Sequence, residues 1–145
     1  MNKAKKNIDV VLLCGGRGQR LRPLTANVPK PLLLVNKKPF LYYVIKNFLK
    51  IKVNHIFLAS GYKSHKILAF KKKYFNKVNN ITLINSGNVD IIKRIQDCSK
   101  LIKNDFFVCY GDTFIKINLE NYVKAFYKSK ADALVSSAYY QLKFG

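Results

Sequence analysis

Five nearly continuous apolar runs of strand length punctuate the chain, at Ile8–Cys14, His55–Ala59, Ile81–Asn85, Asp105–Cys109 and Ala133–Ala138. Runs rich in Ile, Val, Leu and Phe, without a polar alternate, suit strands buried on both faces. Between them the period changes. In Pro39–Ile51 the residues Leu41, Val44, Ile45, Phe48 and Leu49 recur at i, i+3, i+4, i+7 and i+8, behind a proline suited to a first helical turn. A second helix is predicted over Ser64–Phe75 with Ser64 as its cap, Ile67, Leu68 and Phe75 inward, and Lys66 and Lys71–Lys73 largely outward. A third covers roughly Val89–Lys103. A fourth, Leu119–Lys130, follows an Asn118 cap and gathers Tyr122, Val123, Phe126 and Tyr127 on one side. Strand and helix alternate at least four times, which predicts an α/β fold with a mostly parallel sheet covered by helices on both faces. Ligands of such sheets sit beyond the carboxyl ends of the strands.

At 145 residues and 49% hydrophobic composition the chain is read as one globular domain, 1–145, and a disordered basic tail is excluded. No apolar run approaches the ~18 residues of a membrane span. The basic start, Met1–Lys6, leads into only seven mostly apolar residues with no small-residue cleavage site before Gly15, so no export signal and a cytoplasmic protein are expected. The net charge of +20 invites a nucleic-acid reading. Against it, only Arg17, Arg20, Arg22 and Arg94 among the 27 basic residues are arginines, the side chain that base and phosphate recognition favours. The lysines accompany many asparagines and isoleucines, a bias that an A+T-rich genome imposes on any surface, and no specific nucleic-acid partner is expected. Cys14, Cys98 and Cys109 are odd in number and lack CxxC spacing, so they are read as small buried hydrophobes in a reducing compartment.

The longest stretch without periodicity, Gly15–Pro31, follows the first run directly. Gly15, Gly16 and Gly18 remove side chains where the backbone turns and where its N–H groups can face phosphate oxygens. Arg17, Arg20, Arg22 and Lys30 bring four cations into the same loop. A dinucleotide fingerprint would need a third glycine where Leu21 stands, and a P-loop would need Gly-Lys-Ser/Thr; neither is present.

The loop resembles the signature of the sugar-1-phosphate nucleotidyltransferases, Gly-Gly-x-Gly-x-Arg-Leu-x-Pro-Leu-Thr followed by Pro-Lys-Pro. It is matched by Gly15, Gly16, Gly18, Arg20, Leu21, Pro23, Leu24, Thr25, Pro29, Lys30 and Pro31. The likeness continues through Lys38-Pro39-Phe40, Ser60-Gly61-Tyr62 and Tyr110-Gly111-Asp112-Thr113. It implies a Rossmann-like three-layer sandwich, truncated to the family's N-terminal, nucleotide-binding part. It also implies attack of a sugar 1-phosphate on the α-phosphorus of a nucleoside triphosphate, with Mg²⁺ as cofactor. On the matching positions it implies that Gly15, Gly16, Arg17 and Gly18 hold the nucleotide, together with Gly87 and Gly111. Arg20 would neutralise the β,γ-phosphates, Lys30 would reach the α-phosphate and the incoming sugar phosphate, and Asp112 would ligate the metal. A carboxylate just past a buried strand, behind a glycine, is independently where an open α/β sheet keeps its ligands.

Two departures accompany the resemblance. The family completes its metal site with a second aspartate about a hundred residues after the first and recognises the sugar in that later region, whereas this sequence ends at Gly145. The base-recognition segment is shortened to Asn85-Ser86-Gly87-Asn88. Asn-Ser-Gly and Lys-Arg-Ile are similar to glucose-1-phosphate cytidylyltransferases, while Lys-Pro-Phe-Leu, Gly-Tyr-Lys-Ser and Gly-Asp-Thr-Phe are similar to heptose-1-phosphate guanylyltransferases, so the base stays open. The alternative reading is a non-catalytic or partner-dependent nucleotide-binding fragment. On either reading this chain, assayed alone, is expected to bind nucleotide but to turn over sugar phosphate poorly or not at all. A homo-oligomer stays open too. His55 and His65 are read as structural or surface residues, and Asp132 is given no role.

Overall fold

The computed structural model describes residues 8–116 and 118–137. The chain divides into two compact units, Met1–Ile115 and Lys116–Gly145. The first carries β1 (Asp9–Leu13), β2 (Leu34–Val35), β3 (Lys38–Pro39), α1 (Phe40–Lys50), β4 (Ile56–Ser60), α2 (Ser64–Phe75), β5 (Ile81–Asn85), α3 (Ile91–Ser99) and β6 (Phe106–Tyr110). Its main sheet has the order β5-β4-β1-β6, and every neighbouring pair is parallel.

The apolar runs are continuous because both faces of this sheet are covered. Val10 and Leu12 lie opposite Ile56 and Leu58 of β4, and all four are fully buried. Successive side chains point to opposite faces. On one face Val11, Phe57 and Ala59 pack with Cys98 of α3. On the other, Phe107, in register with Val10, meets Phe48 of α1 at 6.3 Å between ring centroids. α2 lies beside α1, with Phe75 against Tyr42 at 5.7 Å. The result is the three-layer α/β sandwich expected, with a Rossmann-like parallel sheet. From β1 the chain steps outward to β4 and β5, then returns to place β6 on the far side of β1. The winding direction therefore reverses at β1, and loops leaving β1 and β6 meet at the switch point where such sheets bind ligands.

Several expectations change in detail. Ser64 is the first residue of α2 and not its cap; Lys63 holds the cap position in the left-handed region, and the Ser64 hydroxyl instead pairs with Ser60 Oγ at 2.7 Å. α3 is shorter than the predicted Val89–Lys103, because Asp90 caps it by accepting from the Lys93 N–H at 2.7 Å. It ends where Leu101 and Ile102 switch to hydrogen bonds three residues back. The small β2–β3 hairpin has no counterpart among the predicted elements; its turn places Asn36 and Lys37 at positive φ, the conformation of a two-residue hairpin turn, without the usual glycine as a cue.

The second unit holds α4 (Leu119–Ser129), capped as predicted by Asn118, whose side chain accepts from the Asn121 N–H at 3.1 Å. The fifth strand expected at Ala133–Ala138 does not form over residues 133–137, and Ala138 lies outside the described residues. A strand is defined by its ladder, and the described residues of the second unit supply no partner strand. No helix among the described residues is long and apolar enough to cross a membrane.

Candidate functional site

β1 ends in a fully buried Cys14, whose N–H donates to the Ala59 carbonyl at 2.8 Å, and the glycine loop begins immediately after it. Gly15 is buried, and its carbonyl accepts from the Tyr62 N–H at 3.3 Å, which seats the loop after β1 beside the one after β4. Gly16 and Arg17 are exposed, and the Arg17 guanidinium reaches Asn88 Oδ1 at 3.2 Å, across to the turn after β5. Gly18 adopts φ +60°, which favours glycine, and its carbonyl accepts from the Thr25 hydroxyl at 2.8 Å. Thr25 is fully buried, so this bond fixes the base of the loop from inside.

The middle of the loop is clamped from the turn after β4. Tyr62 OH and Lys63 Nζ both donate to the Ala26 carbonyl, at 2.9 and 2.7 Å. Arg20 lies exposed on a single 3₁₀ turn, Gln19–Leu21, with its side chain unpaired among the described residues. A second 3₁₀ turn, Lys30–Leu32, buries Pro31 and Leu32 and leaves the Lys30 ammonium free to reach outward.

That ammonium lies 2.6 Å from Asp112 Oδ2, just past β6. Two residues far apart in the sequence, each singled out from it, thus form an ion pair at the switch point. Gly111 makes the approach close: its N–H donates to the Leu13 carbonyl at 3.0 Å, and a Cβ on it would lie 2.6 Å from Cys14 Sγ. Burial and the nearby Asp112 carboxylate raise the Cys14 thiol far above its usual range, so it is neutral packing and not a nucleophile. Gly87 is exposed at φ +70°, and its N–H donates to Asn85 Oδ1 at 3.1 Å, forming a tight turn after β5.

Asp112 offers a hard oxygen donor. Among the described residues no group of three or more His, Cys, Asp or Glu side chains converges. A single carboxylate suits Mg²⁺, which keeps several waters and takes phosphate oxygens as ligands.

Arg94 is the residue the sequence concealed. It is 6% exposed, and its Nε donates to the Ser60 carbonyl at 3.3 Å. Its Nη2 donates to the carbonyls of Gly87 and Val89 at 3.0 and 3.1 Å. The available signal was a charge lying in one helical stripe with Ile91 and Cys98. His55, read as structural, is held by Thr82 Oγ1 at 2.8 Å.

Residues 9–143 match the family model described as nucleotidyl transferase, and the chain belongs to that family. It is 31% identical, over 77% of its length, to the D-glycero-alpha-D-manno-heptose 1-phosphate guanylyltransferase of Campylobacter jejuni, covering 51% of that protein. It is 30% identical, over 95% of its length, to a probable glucose-1-phosphate cytidylyltransferase of Bacillus subtilis, covering 63% of it. Among solved structures it resembles HddC from Yersinia pseudotuberculosis complexed with GMP-PN, at 30% identity and a TM-score of 0.73, over 82% of this chain and 54% of that one. The chain thus spans between about half and two thirds of these relatives.

Proposed function

We propose that the protein transfers a nucleotidyl group from a nucleoside triphosphate to a sugar 1-phosphate, releasing pyrophosphate, with Mg²⁺ as cofactor. The observation that carries this reading is the Lys30–Asp112 pair beside the glycine loop, where the winding of the sheet reverses. The family membership and the names of the relatives support the same reaction class.

Two polyanions must meet in this reaction, and charge builds on the departing pyrophosphate, so positioning and cations supply most of the acceleration. In this reading the backbone of Gly15, Gly16 and Gly18 lies along the triphosphate, with Arg17, Gly87 and Gly111 lining the nucleotide. Arg20, unpaired and exposed, takes the β,γ-phosphates. Lys30 exchanges Asp112 for the α-phosphate and the attacking sugar phosphate. Asp112 would hold Mg²⁺, which when bound draws charge from the phosphate oxygens. Guanine and cytosine are the bases that the named relatives suggest.

The test is pyrophosphate release from a panel of CTP, GTP, UTP and dTTP, with and without Mg²⁺ and sugar 1-phosphates. The expected result for this chain alone is slow release at most, release that needs both substrates and the metal and that Asp112→Ala lowers by ~10²-fold, the usual scale for misplacing a reacting group. Release from no combination, with nucleotide binding intact, would favour the partner-dependent fragment; release indifferent to Asp112→Ala, or no binding of any nucleotide, would contradict the assignment.

A further inference from the structure

We propose that Arg94 is a positioning residue that pins the three glycine turns around the nucleotide into one rigid rim, an inference that rests on the nucleotide reading of Gly15 and Gly87 above. Its guanidinium lies beneath all three. A Cβ on Gly15, after β1, would stand 2.4 Å from Arg94 Cζ and Nε. One on Gly61, after β4, would stand 2.5 Å from Nη2 and 2.3 Å from the Gly87 carbonyl. Gly87, after β5, is held through that same carbonyl, while Ser60 and Val89 give their carbonyls to the same side chain. Gly15 and Gly61 are therefore glycines in part because Arg94 occupies the volume their side chains would fill.

The chemistry of the contact separates positioning from simple packing. All the acceptors of Arg94 are backbone carbonyls, and no described carboxylate neutralises it. A buried cation is costly, and a well-packed apolar side chain often serves stability as well or better. What a planar fork adds is a fixed angle between several acceptors drawn from different segments. Here those acceptors belong to the turns after β4 and β5, and the plane of the fork backs the turn after β1. Its positive charge also lies directly behind the loop read as the phosphate cradle, where it favours an anion.

The experiment titrates the full chain with MgGTP and MgCTP, below the melting temperature of every variant, and compares Arg94→Ala, Arg94→Lys, Gly15→Ala and the double variant Gly15→Ala/Arg94→Ala. Arg94→Lys keeps charge and length, so it guards against a fold that collapses without the side chain. Each single variant is expected to bind about tenfold more weakly or worse, within the range of couplings measured between touching residues. The double variant is expected to bind no more weakly than Arg94→Ala, because the methyl group added at position 15 then has nothing to displace. Methylguanidinium should restore part of the affinity to Arg94→Ala, a rescue that loss of generic packing would not show. Wild-type affinity in Arg94→Lys, or losses that simply add in the double variant, would overturn the role of Arg94 while leaving the nucleotide site standing. A wild-type protein that binds neither nucleotide would overturn both.

Discussion

His55 shows how one side chain ties the sheet to solution conditions. Its ring lies 4.6 Å from that of Phe57, and Nε2 pairs with Thr82 Oγ1 across the β4–β5 edge. Burial lowers its pKa below the usual 6.5; Asp9 pulls the other way and Lys71 adds to the lowering. The folded state therefore prefers the neutral ring, and the unfolded state binds more protons just below the usual value. The stabilising contribution is complete above about pH 6.5 and is lost as pH falls through the lowered folded value. Melting temperatures from pH 8 to pH 5 should fall more steeply for the wild type than for His55→Asn; parallel curves would contradict the argument. At the same scale Lys30 and Asp112 were singled out through the family resemblance, and the structure brings the two together. Arg94 was not singled out, since its significance depends on three turns that only the fold brings together.

Elements were legible where periodicity and tertiary packing agree. The span of α2 coincides with the prediction, and β5 does too, because apolar residues there have a single way to be buried. Boundaries shifted where local hydrogen bonds decide. Asp90 starts α3 two residues later than the apolar pattern suggests, and Ser64 exchanges capping for a bond to Ser60. Ala133–Ala138 had strand composition, but strands depend on a partner that sequence does not supply. Asp90 also gives a prediction at this scale. Asp90→Ala removes the acceptor for the Lys93 N–H, and such cap losses cost about 1 kcal/mol. Urea unfolding should register that loss, and since α3 carries Arg94, nucleotide affinity should weaken with it. An unchanged midpoint would show that the cap contributes nothing.

Over the whole molecule, the first unit is a parallel sheet whose strand order reverses at β1 and whose three carboxyl-end turns converge on Arg94. The alternation of strand and helix predicted that architecture, and the Gly15–Pro31 loop predicted which end of the sheet to search. The order of the strands was not legible, because parallel pairing depends on distant partners. The central claim is that this end of the sheet is built for a triphosphate. Calorimetric titration tests it most directly, using MgGTP and MgCTP against GMP and CMP, with wild type and Arg20→Ala side by side. The account predicts that the wild type binds a triphosphate about tenfold or more tightly than its monophosphate, as charged hydrogen bonds to the β,γ-phosphates would give, and that Arg20→Ala loses most of that preference. Equal affinity for triphosphate and monophosphate, or a preference that Arg20→Ala leaves intact, would contradict it.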